Sequence, residues 1–288
     1  MIKYLKFLLN CIKDRFSFFS FKEIDKATYL SKNNLSFIAG IYYLDLKDYE
    51  KASECFEKAK AYKHLIICYQ KLGYYTKAIT LSEEKKYYER GASICMHIND
   101  YVKAAYFYSF FNPLLAAKLY KQENHFFEAG YAYLSSYKGV KAINCFNQCN
   151  PKQKSQGLKE VFEFASVLYF TKQYKEAFIL FIHLDNFYCA LECAKKINAT
   201  QLINLTSILV ASVEASQNHY DFAAKCVEDF NPTLAVYYYC LSHNYKKAIN
   251  ILLVNGNYEK AINMCLVEND LNFAYEIAST YEPSLLSS

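Results

Sequence analysis

A short pattern recurs along most of this chain and restricts its fold more than any other feature: a polar residue, an aromatic, two variable residues, then alanine. Clear copies are Asp48-Tyr49-x-x-Ala52, Tyr74-Tyr75-x-x-Ala78, Asp100-Tyr101-x-x-Ala104, His125-Phe126-x-x-Ala129 and Gln173-Tyr174-x-x-Ala177. The series continues with Asn186-Phe187-x-x-Ala190, His219-Tyr220-x-x-Ala223, Asn244-Tyr245-x-x-Ala248, Asn257-Tyr258-x-x-Ala261 and Asp270-Leu271-x-x-Ala274. The alanines lie 26, 26, 25, 48, 13, 33, 25, 13 and 13 residues apart, mostly one or two multiples of about 13. Weaker copies at Ala39, Leu65, Gly91, Ala117 and Ala142 fill the gaps, so the register of 13 is unbroken from Ala39 to Ala117.

Each part of the pattern has a physical reading. Six of the ten polar positions are Asp or Asn, whose side-chain oxygens take an orphan amide of a helix's first turn. The aromatic three residues before the alanine shares its helical face. The alanine is a small residue where two helices can cross closely. Thirteen residues hold a helix of about ten residues, ~15 Å long, and a connection of two or three. A helix that short is marginal alone and must be buried against neighbours, which is the logic of a stacked array. Strands fit poorly: between Tyr49 and Ala59 the apolar residues fall at 49, 52, 55, 56 and 59, which is helical spacing.

Composition agrees. The 288 residues are 53% apolar, enough for a sizeable core, and the scarcity of Gly (7) and Pro (4) favours helices over turn-rich sheets. Eleven cysteines without a recognisable signal peptide point to reduced thiols in an intracellular, cytoplasmic protein, and no run approaches a membrane span. The net charge of +5 is a mild excess. Arg15 and Arg90 are the only arginines, which argues against sequence-specific nucleic-acid binding. The many tyrosines (29) and phenylalanines (22) accompany frequent Lys, Asn and Ile, the signature of AT-rich codons.

A longer periodicity lies over the short one. Residues 99–129 align without gaps on residues 218–248, an offset of 119, and both copies contain Phe-Asn-Pro-x-Leu-Ala (111–116 and 230–235). The Asn-Pro step reads as an N-cap followed by proline at the first helical position. The expected organisation is an N-terminal amphipathic or capping helix at 1–23, a first helical block at 24–149, a loop at 150–157, and a second block at 158–288 with longer helices, notably 158–171 and 200–218. Residues 1–20 are basic, with Ile2, Leu5, Leu9, Ile12 and Phe16 on one face. They read as a cap on the first repeat in preference to a helix making weak contact with a membrane surface.

The spacing Leu65, Tyr69, Gly73, Tyr75, Ala78, and again Ala165, Leu168, Tyr174, Ala177, Phe181, resembles the helix-turn-helix signature of the tetratricopeptide (TPR-like) superfamily. The resemblance covers residues 24 to 282, with a period near 26 per helix pair in the first half in place of that family's 34. In this shortened form it is similar to the helical arrays of vesicle-coat and intraflagellar-transport subunits. The stretch from Ala129 to Phe146 is also similar to soluble attachment proteins of membrane fusion. The resemblance implies an all-α, right-handed α-α superhelix of short antiparallel helix pairs that binds a protein or peptide. Some members grip a peptide carboxylate with polar residues on the first helix of each pair. The corresponding positions are Lys63, Ile67, Gln70 and Lys71, then Phe162, Ser166, Tyr169 and Phe170; the second set lacks the polar grip, so no such clamp is expected. Lys63, Gln70, Lys71, Tyr169 and Tyr237 are the candidate partner contacts.

No catalytic, cofactor or metal site is expected. Cys145/Cys149 and Cys189/Cys193 are i,i+4 pairs that could share a metal, but Cys55, Cys68, Cys145, Cys193 and Cys226 all follow the small position by three residues, and Cys95 and Cys265 by four. Cysteines tied to the repeat register read as packing residues. Cys240-x-x-His243 is a close Cys/His pair, and nothing supplies a third group. The leading expectation is a non-catalytic interaction scaffold or adaptor in trafficking or complex assembly. The alternative is an RNA-associated helical repeat that uses lysine and tyrosine side chains.

Overall fold

The computed structural model describes residues 22–32 and 34–283. Among them are nineteen α-helices and no strand, so the chain is an all-α helical-repeat protein. Residues 1–20, expected to cap the array or contact a membrane, lie outside the described residues. No helix among the described residues is long and apolar enough to cross a membrane.

The chain divides into two compact units, Met1–Lys154 and Ser155–Ser288. The first holds α1 (Glu23–Lys32), α2 (Ser36–Asp45), α3 (Tyr49–Lys58), α4 (Tyr62–Lys71), α5 (Tyr75–Glu84), α6 (Tyr88–His97), α7 (Tyr101–Tyr108), α8 (Pro113–Gln122), α9 (Phe126–Ser135) and α10 (Gly139–Phe146). The division falls within α11 (Pro151–Phe170). The second unit continues with α12 (Tyr174–His183), α13 (Phe187–Ile197), α14 (Thr200–Ser216), α15 (Tyr220–Val227), α16 (Pro232–Leu241), α17 (Tyr245–Val254), α18 (Tyr258–Val267) and α19 (Leu271–Tyr281). Close backbone packing joins each helix to the next, from α1 through α10 and from α12 through α19. Consecutive helices double back: the first ring of α6, Tyr88, stacks at 4.1 Å on Phe110 just past the end of α7, and Tyr258 of α18 stacks at 4.5 Å on Tyr281 at the end of α19.

The turn explains the period of 13. Fifteen described residues have positive φ, and from Asn34 through Lys47, Lys60, Gly73 and Lys86 to Asn99 they are 13 apart. Each stops a helix in the left-handed conformation, so that the next amide reaches back five residues. Asp48 shows how little chain this needs. Its N–H donates to Tyr43 O (2.9 Å) behind, its C=O accepts from Ala52 N–H (3.0 Å) ahead, and its Oδ1 accepts from Lys51 N–H (3.2 Å). Asp100 does the same with Cys95, Ala104 and Lys103. One residue thus ends one helix and starts another.

Of the six Asp or Asn residues expected to cap, Asp48, Asp100, Asn186 and Asp270 do so. Asn244 and Asn257 start helices without a side-chain cap: Asn244 Nδ2 donates to Asp221 Oδ1 (3.2 Å) and Asn257 Nδ2 to Asn255 O. Asn112 and Asn231 cap Leu115 and Leu234 with proline at the first position, as their sequence implies. The loop expected at 150–157 is not one. Asn150 caps Gln153 N–H (3.0 Å), and 151–157 are the first turns of α11. Pro151 starts that helix at a position where its missing N–H costs nothing. Nor are the second-block helices uniformly long: only α11, with 20 residues, and α14, with 17, exceed eleven.

Packing follows a rule of small against large, sixteen residues apart. Gly40 meets Phe56, Gly91 meets Phe107, and Gly130 meets Phe146. A Cβ on Gly91 would lie 2.7 Å from the Phe107 ring. Ala27/Tyr43, Ala165/Phe181 and Ala223/Tyr239 keep the same spacing, with both members buried. At α4 the sizes are exchanged: Ile66 is buried, and sixteen residues on is Ser82, whose buried hydroxyl donates to Ala78 O (2.7 Å).

Candidate interaction surface

The apolar groove of the second unit begins with α11. The buried stripe of that helix is Val161, Ala165 and Leu168, at helical spacing. Phe162, Ser166, Tyr169 and Phe170 therefore fall beside it. The helix ends where Lys172 turns left-handed and Gln173 N–H returns to Leu168 O (2.8 Å), which leaves Phe170 80% exposed. Phe181 of α12 packs edge-on against Phe162 at 5.6 Å, and Tyr169 packs edge-on against Tyr174 at 5.4 Å. From α13 come Tyr188, 46% exposed, with Cys189 and Glu192. Together Ser166, Tyr169, Phe170, Phe181, Tyr188, Cys189 and Glu192 line a space of about 340 Å³ whose one charge is Glu192, paired with Lys195 at 2.9 Å.

Of the five candidate contacts, Tyr169 alone lines this groove. Lys63, Gln70 and Lys71 share α4 in the first unit, and Lys63 Nζ sits 5.5 Å from the Tyr87 ring centroid. Tyr237 lies on α16, 57% exposed and packed on Tyr238 at 5.7 Å. Tyr188 was the ring that sequence reasoning missed. It stands one residue after the pattern aromatic Phe187, and its exposure follows from helical phase.

A second space of about 570 Å³ lies among α15, α16 and α17, lined by charged residues (Lys225, Glu228, Asp229, Lys247) together with Tyr239, Asn250 and the apolar Pro232, Ile251 and Val254. Tyr239, fully buried, donates its hydroxyl to Glu228 Oε2 at 2.8 Å, and Lys247 Nζ lies 5.0 Å from its ring centroid. Burial, then the bond to Glu228 and the nearby carboxylates, hold the Tyr239 phenol far above its ordinary range.

Most of the described cysteines are buried. Cys55, Cys68, Cys95, Cys145, Cys193 and Cys265 are buried, and Cys226 is half-buried. Burial pushes the Cys68, Cys95 and Cys193 thiols up to about 11, so they remain neutral thiols at ordinary pH. His243 occupies a left-handed turn position and bonds Tyr245 Oη through Nδ1 at 3.0 Å.

Lysines also pack on tyrosines. Lys51 lies over Tyr43, Lys77 over Tyr69, Lys141 over Tyr133 and Lys247 over Tyr239, each eight residues on. Charge divides unevenly between the units: residues 1–154 hold 24 Lys and Arg against 14 Asp and Glu, and residues 155–288 hold 9 against 14. No protein-family model and no curated protein matches the chain.

Proposed function

We propose that this chain is a non-catalytic protein–protein interaction scaffold of the tetratricopeptide-like kind, serving intracellular complex assembly or trafficking, and that it takes a partner segment into the groove of α11, α12 and α13. The observation that carries the reading is the exposure of Phe170 and Tyr188 over an apolar floor. Large aromatic side chains that the fold leaves uncovered are the usual anchors of protein interfaces. The test is affinity capture from cell extract, wild type against Phe170→Glu/Tyr188→Glu. Both changes fall on exposed positions, so helicity and thermal midpoint are expected to stay unchanged. A partner recovered by the wild type and lost from the double variant supports the reading. Recovery of no partner, or of the same proteins by both, contradicts it.

An RNA-associated role is the second reading, favoured by the basic first unit. The lysines that rest on tyrosine rings weigh against it, because both partners are already engaged. Filter binding across salt separates the two: RNA affinity that falls steeply with salt favours the second reading, and no binding at low salt removes it.

A further inference from the structure

The junctions after α3, α5 and α7 lie along one edge of the first unit. Two reciprocal contacts join the first two: Lys63 Nζ sits 5.5 Å from the Tyr87 ring centroid, and Lys85 Nζ sits 4.5 Å from that of Tyr62. The stack of Tyr88 on Phe110 at 4.1 Å joins the third. Along this edge stand five exposed lysines, Lys58, Lys60, Lys63, Lys85 and Lys86, and then two exposed phenylalanines, Phe110 (49%) and Phe111 (43%).

The fold does not ask for these choices. Lys60 and Lys86 occupy left-handed turn positions that Gly73 and Asn99 fill elsewhere at less steric cost. Residues 218–248, which align without gaps on 99–129, keep Phe111 as Phe230 but place Asp229 where the first block has Phe110. The junction after α7 holds residues 109–112, one more than the junctions after α3 and α5, so the two rings stand on the longest of the three turns. Among the described residues, none of the five lysines forms an ion pair. The carboxylates of the same stretches are Glu57, Glu83, Glu84 and Glu89. Glu83 faces the Tyr106 hydroxyl and Glu57 the Tyr69 phenol, which leaves Glu84 and Glu89 against five lysines.

We propose that this edge binds the surface of an anionic lipid bilayer, with Phe110 and Phe111 entering the interfacial zone and the lysines meeting the headgroups. Rings exposed side by side on a turn suit a surface that opens around them, as the headgroup region does. The same surface supplies the negative charge that the lysines lack within the chain. This edge is separate from the apolar groove and does not depend on the scaffold reading.

The test is co-sedimentation of the full chain with phosphatidylcholine vesicles containing about one third phosphatidylserine, against vesicles of phosphatidylcholine alone. The wild type is expected to bind the anionic vesicles about tenfold or more tightly than the neutral ones, with an affinity that falls as salt rises. Phe110→Ser/Phe111→Ser and Lys60→Gln/Lys86→Gln are each expected to weaken that binding about tenfold. Should the phenylalanine variant lose helicity, Phe110→Asp alone carries the test, because the second block has Asp229 in that place. No binding to anionic vesicles overturns the proposal. So does binding that these variants keep while Leu5→Glu/Leu9→Glu or Phe170→Glu/Tyr188→Glu loses it, since it then belongs to residues 1–20 or to the apolar groove. Binding of hexaglutamate that needs the lysines but not the phenylalanines overturns it in favour of an acidic peptide. The groove is tested by partner capture and this edge by vesicles, so the two can fail separately.

Discussion

The blocks 99–129 and 218–248 share a backbone plan and differ in what surrounds the same tyrosine. Both start a helix at an Asn-Pro step, and both bury a tyrosine seven residues after the proline, Tyr120 in one and Tyr239 in the other. At the positions that carry Tyr106 and Phe110 in the first block, the second carries Lys225 and Asp229, with Glu228 bonded to Tyr239. The turns and the small-against-large rule therefore set the architecture, and the positions outside them are free to carry different chemistry. The same holds for the units as wholes. The first keeps a nearly regular phase through ten short helices, while the second breaks it with α11 and α14 and there exposes Phe170 and Tyr188.

The largest expected effect tests how each unit solves its helix crossings. The first uses glycine against phenylalanine at three of its crossings, and the second uses alanine against an aromatic. Gly91→Ala is expected to cost about 1–3 kcal/mol, because the buried Phe107 ring cannot yield to the new methyl. Ala223→Gly, the reverse exchange in the second unit, is expected to cost about 1 kcal/mol through helix propensity and a lost contact. Urea titrations of both variants check the order; a Gly91→Ala protein as stable as wild type breaks the crossing rule.

The next effect separates the two tyrosines. Tyr239→Phe removes a hydrogen bond to a carboxylate and is expected to cost about 1–1.5 kcal/mol. Tyr120→Phe is expected to cost under about 0.5 kcal/mol, since its hydroxyl has no such partner. Equal losses would show that the charged surroundings of Tyr239 are incidental to its burial.

The smallest effect concerns the caps. Asp100→Ala deletes a side-chain bond to Lys103 N–H and is expected to lower stability by about 0.5–1 kcal/mol. Asn257→Ala, at the same pattern position without a cap, is expected to be nearly neutral. Thermal melts decide it, and similar losses at both would mean that the pattern residue acts through something other than capping.

The repeat was legible in the sequence because alanine, the aromatic and the register cysteines all report one packing face. The turn was half legible. Asp48 and Asp100 announce the caps, but the residue before them makes the turn, and it varies among Asn99, Gly73 and Lys47. Lysine pays a steric penalty at positive φ and gives no signal of it. The 150–157 segment misled for a related reason. Pro151 and Gly157 look like breakers, yet Asn150-Pro151 is the same helix start that the sequence shows at 112–113 and 231–232. The apolar groove depends on where α11 stops and on the phase of α13 against it, which no local pattern encodes; Tyr169 is singled out only by the resemblance, and Tyr188 by nothing in the sequence.

The central claim is that a left-handed residue ends the helix at fifteen of the eighteen described junctions, the other three leading into Asn-Pro helix starts, and so cuts the chain into short helices that stack on their neighbours. Backbone torsions from NMR chemical shifts test it most directly. Positive φ is expected at the fifteen turn positions, including Lys47, Lys60, Lys86 and Lys172, where side chains make that conformation costly. Helical torsions running through those lysines, joining α2 to α3 or α5 to α6 as continuous helices, would contradict the account.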